Sequence, residues 1–202
     1  MTYSTLTLPQ FPHYRIFASL YKNVKNHRQI RDGIRSGSIS ADFDFAFLNA
    51  ANVLSLEQIY SALFRCFVDK ANGKMKANTI HTELISDMST VKNIMEALTK
   101  FGIPSKGDTV DLVVLKVLYS GDEDDSGDGN SFSPDALKKI SGQLDSAIEN
   151  DGAGGCCLTD TELESTADLH KIRKNYKLSD LFSEDRDRLN RLLIGTIQLK
   201  GL

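Results

Sequence analysis

Apolar positions along the chain keep two rhythms, one of period two and one near 3.6, and the changes between them mark out the elements. Residues 15–20, RIFASL, predict a first strand. Residues 25–36 predict a helix with Asn26 at its N-cap and Gly37 as its stop. Val24, Ile30 and Ile34 share one side of it, and Arg28, Arg31 and Arg35 recur on another. In 43–48, FDFAFL, three phenylalanines alternate with other residues, which is strand spacing. The clearest helix follows. Ser55 and Gln58 form a capping box, and Leu56, Ile59, Tyr60, Leu63, Phe64 and Phe67 trace one apolar stripe. A basic turn over 70–76 leads into residues 79–86, which read as a strand. Residues 91–101 read as a helix with Val91, Ile94, Met95 and Leu98 inward, ended by Gly102 and Pro104. VDLVVLKVL, 110–118, is almost unbroken apolar and β-branched sequence, as in a strand covered on both faces.

Residues 120–134 are polar, acidic and glycine-rich and read as a loop inserted between elements. A helix over 135–149 follows, with Leu137, Ile140, Leu144 and Ile148 in line. NDGAGGCC, 150–157, reads as a second loop. A capping box over 159–162 opens a helix toward Tyr176, with Leu169, Ile172 and Tyr176 aligned. Ser183 is the expected cap of a last helix, whose stripe is Leu189, Leu192, Leu193, Thr196 and Ile197. The expected fold is α+β: one domain over 1–202, with a small, mostly antiparallel sheet covered by several helices.

Composition narrows the function classes. With 202 residues, 41% hydrophobic and 25% charged, the chain has the make-up of a globular protein, and no apolar run approaches the ~20 residues of a membrane span. The first residues lack the basic flank and apolar core of a secretory signal, so the expected location is the cytoplasm or nucleus. Three cysteines make no disulfide framework, and adjacent Cys156 and Cys157 lack zinc-ligand spacing. Five acidic residues crowd into 121–129; setting them aside turns the net charge of −3 into +2 for the remainder. The body is mildly basic, which permits a nucleic-acid surface.

Four features bear on chemistry. Asp124, Ser126, Asp128, Gly129, Asn130 and Asp135 follow part of an EF-hand spacing, but Asp replaces the bidentate Glu and Pro134 interrupts the loop. A calcium-binding module is therefore the alternative reading. His81 and Glu83 would share one face of the predicted 79–86 strand, but the P-C-x-x-C partner of a zinc deaminase is missing. There is no nucleophile elbow and no phosphate-binding loop, so no catalytic site and no cofactor is expected. Lys70, Lys74 and Lys76, with Asn78 just beyond, present three ammonium groups from one turn, enough to hold a phosphate backbone without reading sequence. The Arg28, Arg31 and Arg35 stripe and the cluster His170, Lys171, Arg173, Lys174 and Lys177 are rival basic patches.

Five segments in order, YKNVKN (21–26), GKMKANTIHTELI (73–85), NIMEALTKFGI (93–103), KIRKNYKLS (171–179) and IQLKGL (197–202), resemble the TPRKB-like family, the small kinase-binding subunit of the KEOPS (EKC) complex. The resemblance implies a non-catalytic regulator that binds the small lobe of a PRPK-like atypical kinase/ATPase. That kinase in turn contacts the transferase subunit, which threonylcarbamoylates the adenosine beside the tRNA anticodon. Some members recruit tRNA through its single-stranded 3′ end, and fungal relatives are linked to telomeres and transcription, which implies the nucleus, the chromosome and the cytoplasm. Carried onto this chain, Lys74 and Lys76 match the family's K-M-K/R motif, with Ala77 in place of the usual Thr. The resemblance makes Lys70, Lys74, Lys76 and Asn78 the tRNA candidates and Leu189, Leu192, Leu193 and Ile197 the kinase-docking candidates.

Overall fold

The computed structural model describes residues 2–40, 42–119, 133–178 and 185–200. Its centre is the antiparallel pair of β2 (Tyr14–Val24) and β4 (Val110–Tyr119). Short β1 (Ser4–Leu6) and β5 (Cys156–Cys157) pair with β2, and β3 (Ala46–Asn49) pairs with β4, all antiparallel. The path β1-β2-β4-β3 makes one open sheet, and the architecture is α+β as the sequence predicts. Asn23, in the left-handed region at φ 56°, lies where the β2–β4 register shifts; an asparagine tolerates that conformation better than most residues.

Both faces of the sheet are covered, which is why β2 and β4 are nearly continuous apolar sequence. On one face Ile16, Ala18, Leu20, Val113, Leu115 and Val117 meet α2 (Leu56–Ala71), α3 (Ile80–Asp87) and the C-terminal helices α6 (Asp160–Thr166), α7 (Leu169–Tyr176) and α8 (Arg186–Leu199). On the other, Phe17, Tyr21, Leu112, Val114 and Leu118 meet Phe43, Phe45 and Phe47 together with α1 (His27–Ser36) and α5 (Pro134–Ala147). Each phenylalanine ring in FDFAFL packs within 6 Å of the other two.

Several expectations are corrected. Residues 79–86 form α3, not a strand: Thr79 caps it by accepting Thr82 N–H, and Leu84, Ile85 and Met88 then face the core. The basic turn thus joins two helices. The helix expected over 91–101 is α4 (Ile94–Phe101), and it buries Ala97 and Phe101 while Met95 points out. The helix expected from 160 to 176 is two, because Asp168 donates its N–H to Ala51 O and caps α7. Residues 150–157 are not all loop, since Cys156 and Cys157 add a strand to the sheet. Asp185 is the observed cap of α8; Ser183 lies outside the described residues. So do Asp124, Ser126, Asp128, Gly129 and Asn130, while Asp135 stands in the first turn of α5 behind Pro134 and the Ser133 cap.

Candidate functional site

The basic turn is built by the end of α2. Asn72 and Gly73 donate back to Val68 O and Lys70 O, Gly73 takes φ 63°, and Lys74 N–H bonds Asp69 O. Lys70, Lys74, Lys76 and Asn78 are all exposed, on the turn or just beyond it. Lys70 Nζ also lies over the Tyr14 ring, 5.4 Å from its centroid. No pattern in the sequence points to what fixes the turn. Buried Glu83 reaches back from α3, and its Oε2 accepts Lys76 N–H at 3.0 Å and Ala77 N–H at 2.6 Å.

Because 79–86 is helical, Glu83 and Asp87 stand one turn apart, and both are buried. With Asp69 of α2 they bring three carboxylate oxygens within 4.8 Å of one another. Their counter-charges are cations of this chain. Lys200 Nζ lies 3.7 Å from Asp87 Oδ1, and Arg65 Nε lies 3.7 Å from Asp69 Oδ2. Burial, with Glu83 and Asp69 adding to it and Lys200 opposing, pushes the Asp87 carboxyl up to about 7.

His81 is not placed for acid–base catalysis. Its Nε2 accepts Val117 N–H at 2.9 Å, which puts the ring proton on Nδ1, 2.8 Å from Asp44 Oδ2. Both nitrogens thus face groups of the protein itself, and Glu83 is spent on the turn.

Beside α3 opens a cleft of about 290 Å³. Phe43, Phe45, Phe47, Ile85 and Leu98 line its apolar wall, Arg31 and Arg35 of α1 stand among its lining residues, and Met95 and Ile34 leave 60% and 44% of their surface exposed. The α1 arginine stripe therefore divides: Arg31 and Arg35 line the cleft, while Arg28 donates to Gly107 O. An apolar wall with guanidinium groups beside it suits a flat apolar group that bears an anion at its edge. The third basic patch, His170 to Lys177, lies on α7 and its C-cap.

Helix α8 divides its apolar residues between two environments. Leu189, Leu193 and Ile197 are 1%, 0% and 1% exposed and pack in the protein's own core, so in this conformation they are not open to a partner. Leu192 is half-buried, and Leu199 keeps 64% of its surface exposed. Leu192, Thr196 and Leu199 line a shallow groove with Thr90 and Arg191. Leu199 lies off the stripe of 189–197 and continues the apolar character of the helix, as the sequence suggests for a partner-binding helix.

The family model described as "Kinase binding protein CGI-121" matches residues 21–201. Relatives called "EKC/KEOPS complex subunit CGI121" align along almost all of the chain. The one from Debaryomyces hansenii is 32% identical over 100% of both sequences. The one from Aspergillus fumigatus is 34% identical over 98% of this chain and 96% of its own, and that from Eremothecium gossypii 31% over 98% and 99%.

Proposed function

This chain belongs to the CGI-121 family of kinase-binding proteins, and from that premise we propose that it is the non-catalytic, kinase-binding subunit of an EKC/KEOPS assembly. The observation that carries the reading is the end-to-end match to relatives bearing that name. In this reading the chain docks a PRPK-like atypical kinase/ATPase directly and meets the transferase subunit only through it. The assembly threonylcarbamoylates the adenosine beside the tRNA anticodon. The chain regulates by binding one conformation of the kinase more tightly than another. Work in the cytoplasm and nucleus, with a link to telomeres and transcription, belongs to the same proposal.

The exposed side of α8 is the proposed docking face. Leu192, Thr196 and Leu199 offer an apolar strip that the fold leaves open, while Leu189, Leu193 and Ile197 hold the helix in place. Calorimetry on the chain and its own organism's kinase tests this. Tight one-to-one binding that Leu199→Asp and Leu192→Asp weaken at least about tenfold is the expected result; each tenfold corresponds to about 1.4 kcal/mol. Binding that survives both changes moves the interface elsewhere, and no binding at tens of micromolar removes the reading. The purified chain is expected neither to hydrolyse ATP nor to modify tRNA.

A second component concerns RNA. The exposed lysines at 70, 74 and 76 and the aromatic cleft both adjoin α3: the turn enters it at Thr79, and Thr82 and Ile85 line the cleft. We propose that they hold the single-stranded 3′ end of tRNA, backbone on the lysines and a base in the cleft, so that the subunit tethers substrate near the transferase. A tRNA lacking its 3′ single strand should then bind measurably more weakly than the intact one in a filter or fluorescence assay.

A further inference from the structure

The three carboxylates between α2 and α3, those of Glu83 and Asp87 buried and that of Asp69 half-buried, each hold a different part of the molecule. Glu83 holds the basic turn through two amides. Asp69 faces Arg65, whose Nη1 donates to Gln198 O at the end of α8. Asp87 faces Lys200, whose Nζ also donates to Ser86 O at 2.5 Å and to Ser86 Oγ at 3.3 Å. Asp87 Oδ2 is buried with no hydrogen-bond partner, so this carboxylate leans on the Lys200 charge. Both members of that pair are enclosed, with side chains 6% and 4% exposed.

We propose that this carboxylate cluster links the C-terminal end of α8 to the basic turn, so that displacing Lys200 loosens the 74–78 segment. The physical reason is charge balance. With Lys200 in place, two cations oppose three carboxylates packed within 4.8 Å. At a pH high enough to keep Asp87 ionised, the absence of Lys200 leaves the carboxylates repelling one another in a medium that screens poorly. Relief comes at Glu83, which stands in α3 like Asp87 but whose two amide partners belong to an exposed turn that can move away from it. As Glu83 turns away, Lys76 and Ala77 lose the acceptor of their N–H groups, and the lysines lose their shared orientation. An occupant of the α8 groove touches Lys200, which lines it. An occupant that draws Lys200 away from Asp87 therefore changes the affinity of the turn for a polyanion, and the polyanion changes the affinity of the groove by the same factor. The link rests on the reading above only for the identity of the two occupants.

Hydrogen exchange on the isolated full chain, at an alkaline pH where Asp87 is ionised, tests the link without kinase or RNA. Lys200→Met is expected to speed exchange at the 76 and 77 amides about fivefold or more, while amides of β2 and β4 stay unchanged. Asp87→Asn, which removes one negative charge and keeps the lysine, is expected to slow exchange at the same two amides. The double variant Asp87→Asn/Lys200→Met returns them to near the wild-type rate. Unchanged exchange at 76 and 77 in both single variants overturns the proposal, and so does an acceleration in Lys200→Met spread equally over β2 and β4. If Lys200→Met does not fold, the slowing in Asp87→Asn decides alone. A failed calorimetric test with the kinase removes the docking reading and leaves this link standing; unchanged exchange removes the link and leaves the docking reading standing.

Discussion

Asp87 ties the stability of the fold to pH. Its carboxyl ionises near 3.8 in an ordinary setting and is pushed up to about 7 here, chiefly by burial. Between those values the folded chain holds a proton that the unfolded chain has released. This group therefore favours the fold most below pH 4, and that contribution is lost as pH rises toward 7, on the order of 4 kcal/mol across the window. Asp87→Asn removes the dependence. Urea midpoints at pH 5 and pH 8 check it: the wild type should lose more stability between the two than the variant does. Gly155 gives a second test at this scale. A Cβ there would sit 2.3 Å from Ser19 Oγ and 2.9 Å from Tyr21 Cζ, where the β5 segment crosses β2. Gly155→Ala should cost about 1–3 kcal/mol in denaturant unfolding.

At the scale of elements, α8 shows how one helix serves two ends. Leu193→Ala opens a cavity in the core beside α2 and should destabilise by about 2–5 kcal/mol. Leu199→Ala removes a side chain already in solvent and should leave the denaturation midpoint within about 0.5 kcal/mol. The sequence told these two apart poorly, because a helical stripe names a side without saying which neighbour claims it. It did well where a pattern is long or capped, as in α2, α5 and the covered strand β4. It failed at 79–86, where eight residues are too few for helical and strand periods to separate. The Thr79 cap was the signal that decided the matter. Residues 160–176 broke into two helices for a tertiary reason, the Asp168 N–H on Ala51 O, which no local pattern carries. Of the candidate site, the lysines were readable because exposed charge clusters in sequence, and Asn78 only through the family resemblance. Glu83, Asp87 and Lys200 were not, since their meeting depends on α3 being a helix and on α8 returning to it.

At the scale of the whole molecule, the acidic segment offsets the basic surface, and the net charge of −3 says little about RNA affinity. Binding there rests on local lysines, which gives it a measurable salt law. Three phosphate contacts to a single strand should release counterions with a slope of log affinity against log salt of about −2, or about −0.7 for each contact. Measured by fluorescence anisotropy with a short single-stranded RNA at several salt concentrations, Lys74→Ala and Lys76→Ala should each flatten the slope by about 0.7 and weaken binding for every sequence alike. The substitution Met95→Ser, which changes the most exposed apolar residue of the cleft, should act differently. It should lower affinity with the slope unchanged, because apolar contact with a base releases no counterions. A slope that stays near −2 in both lysine variants would move the RNA surface to α7 or α1. A slope that flattens, with an affinity that also depends on the cleft, would mean that the turn and the cleft grip one strand together.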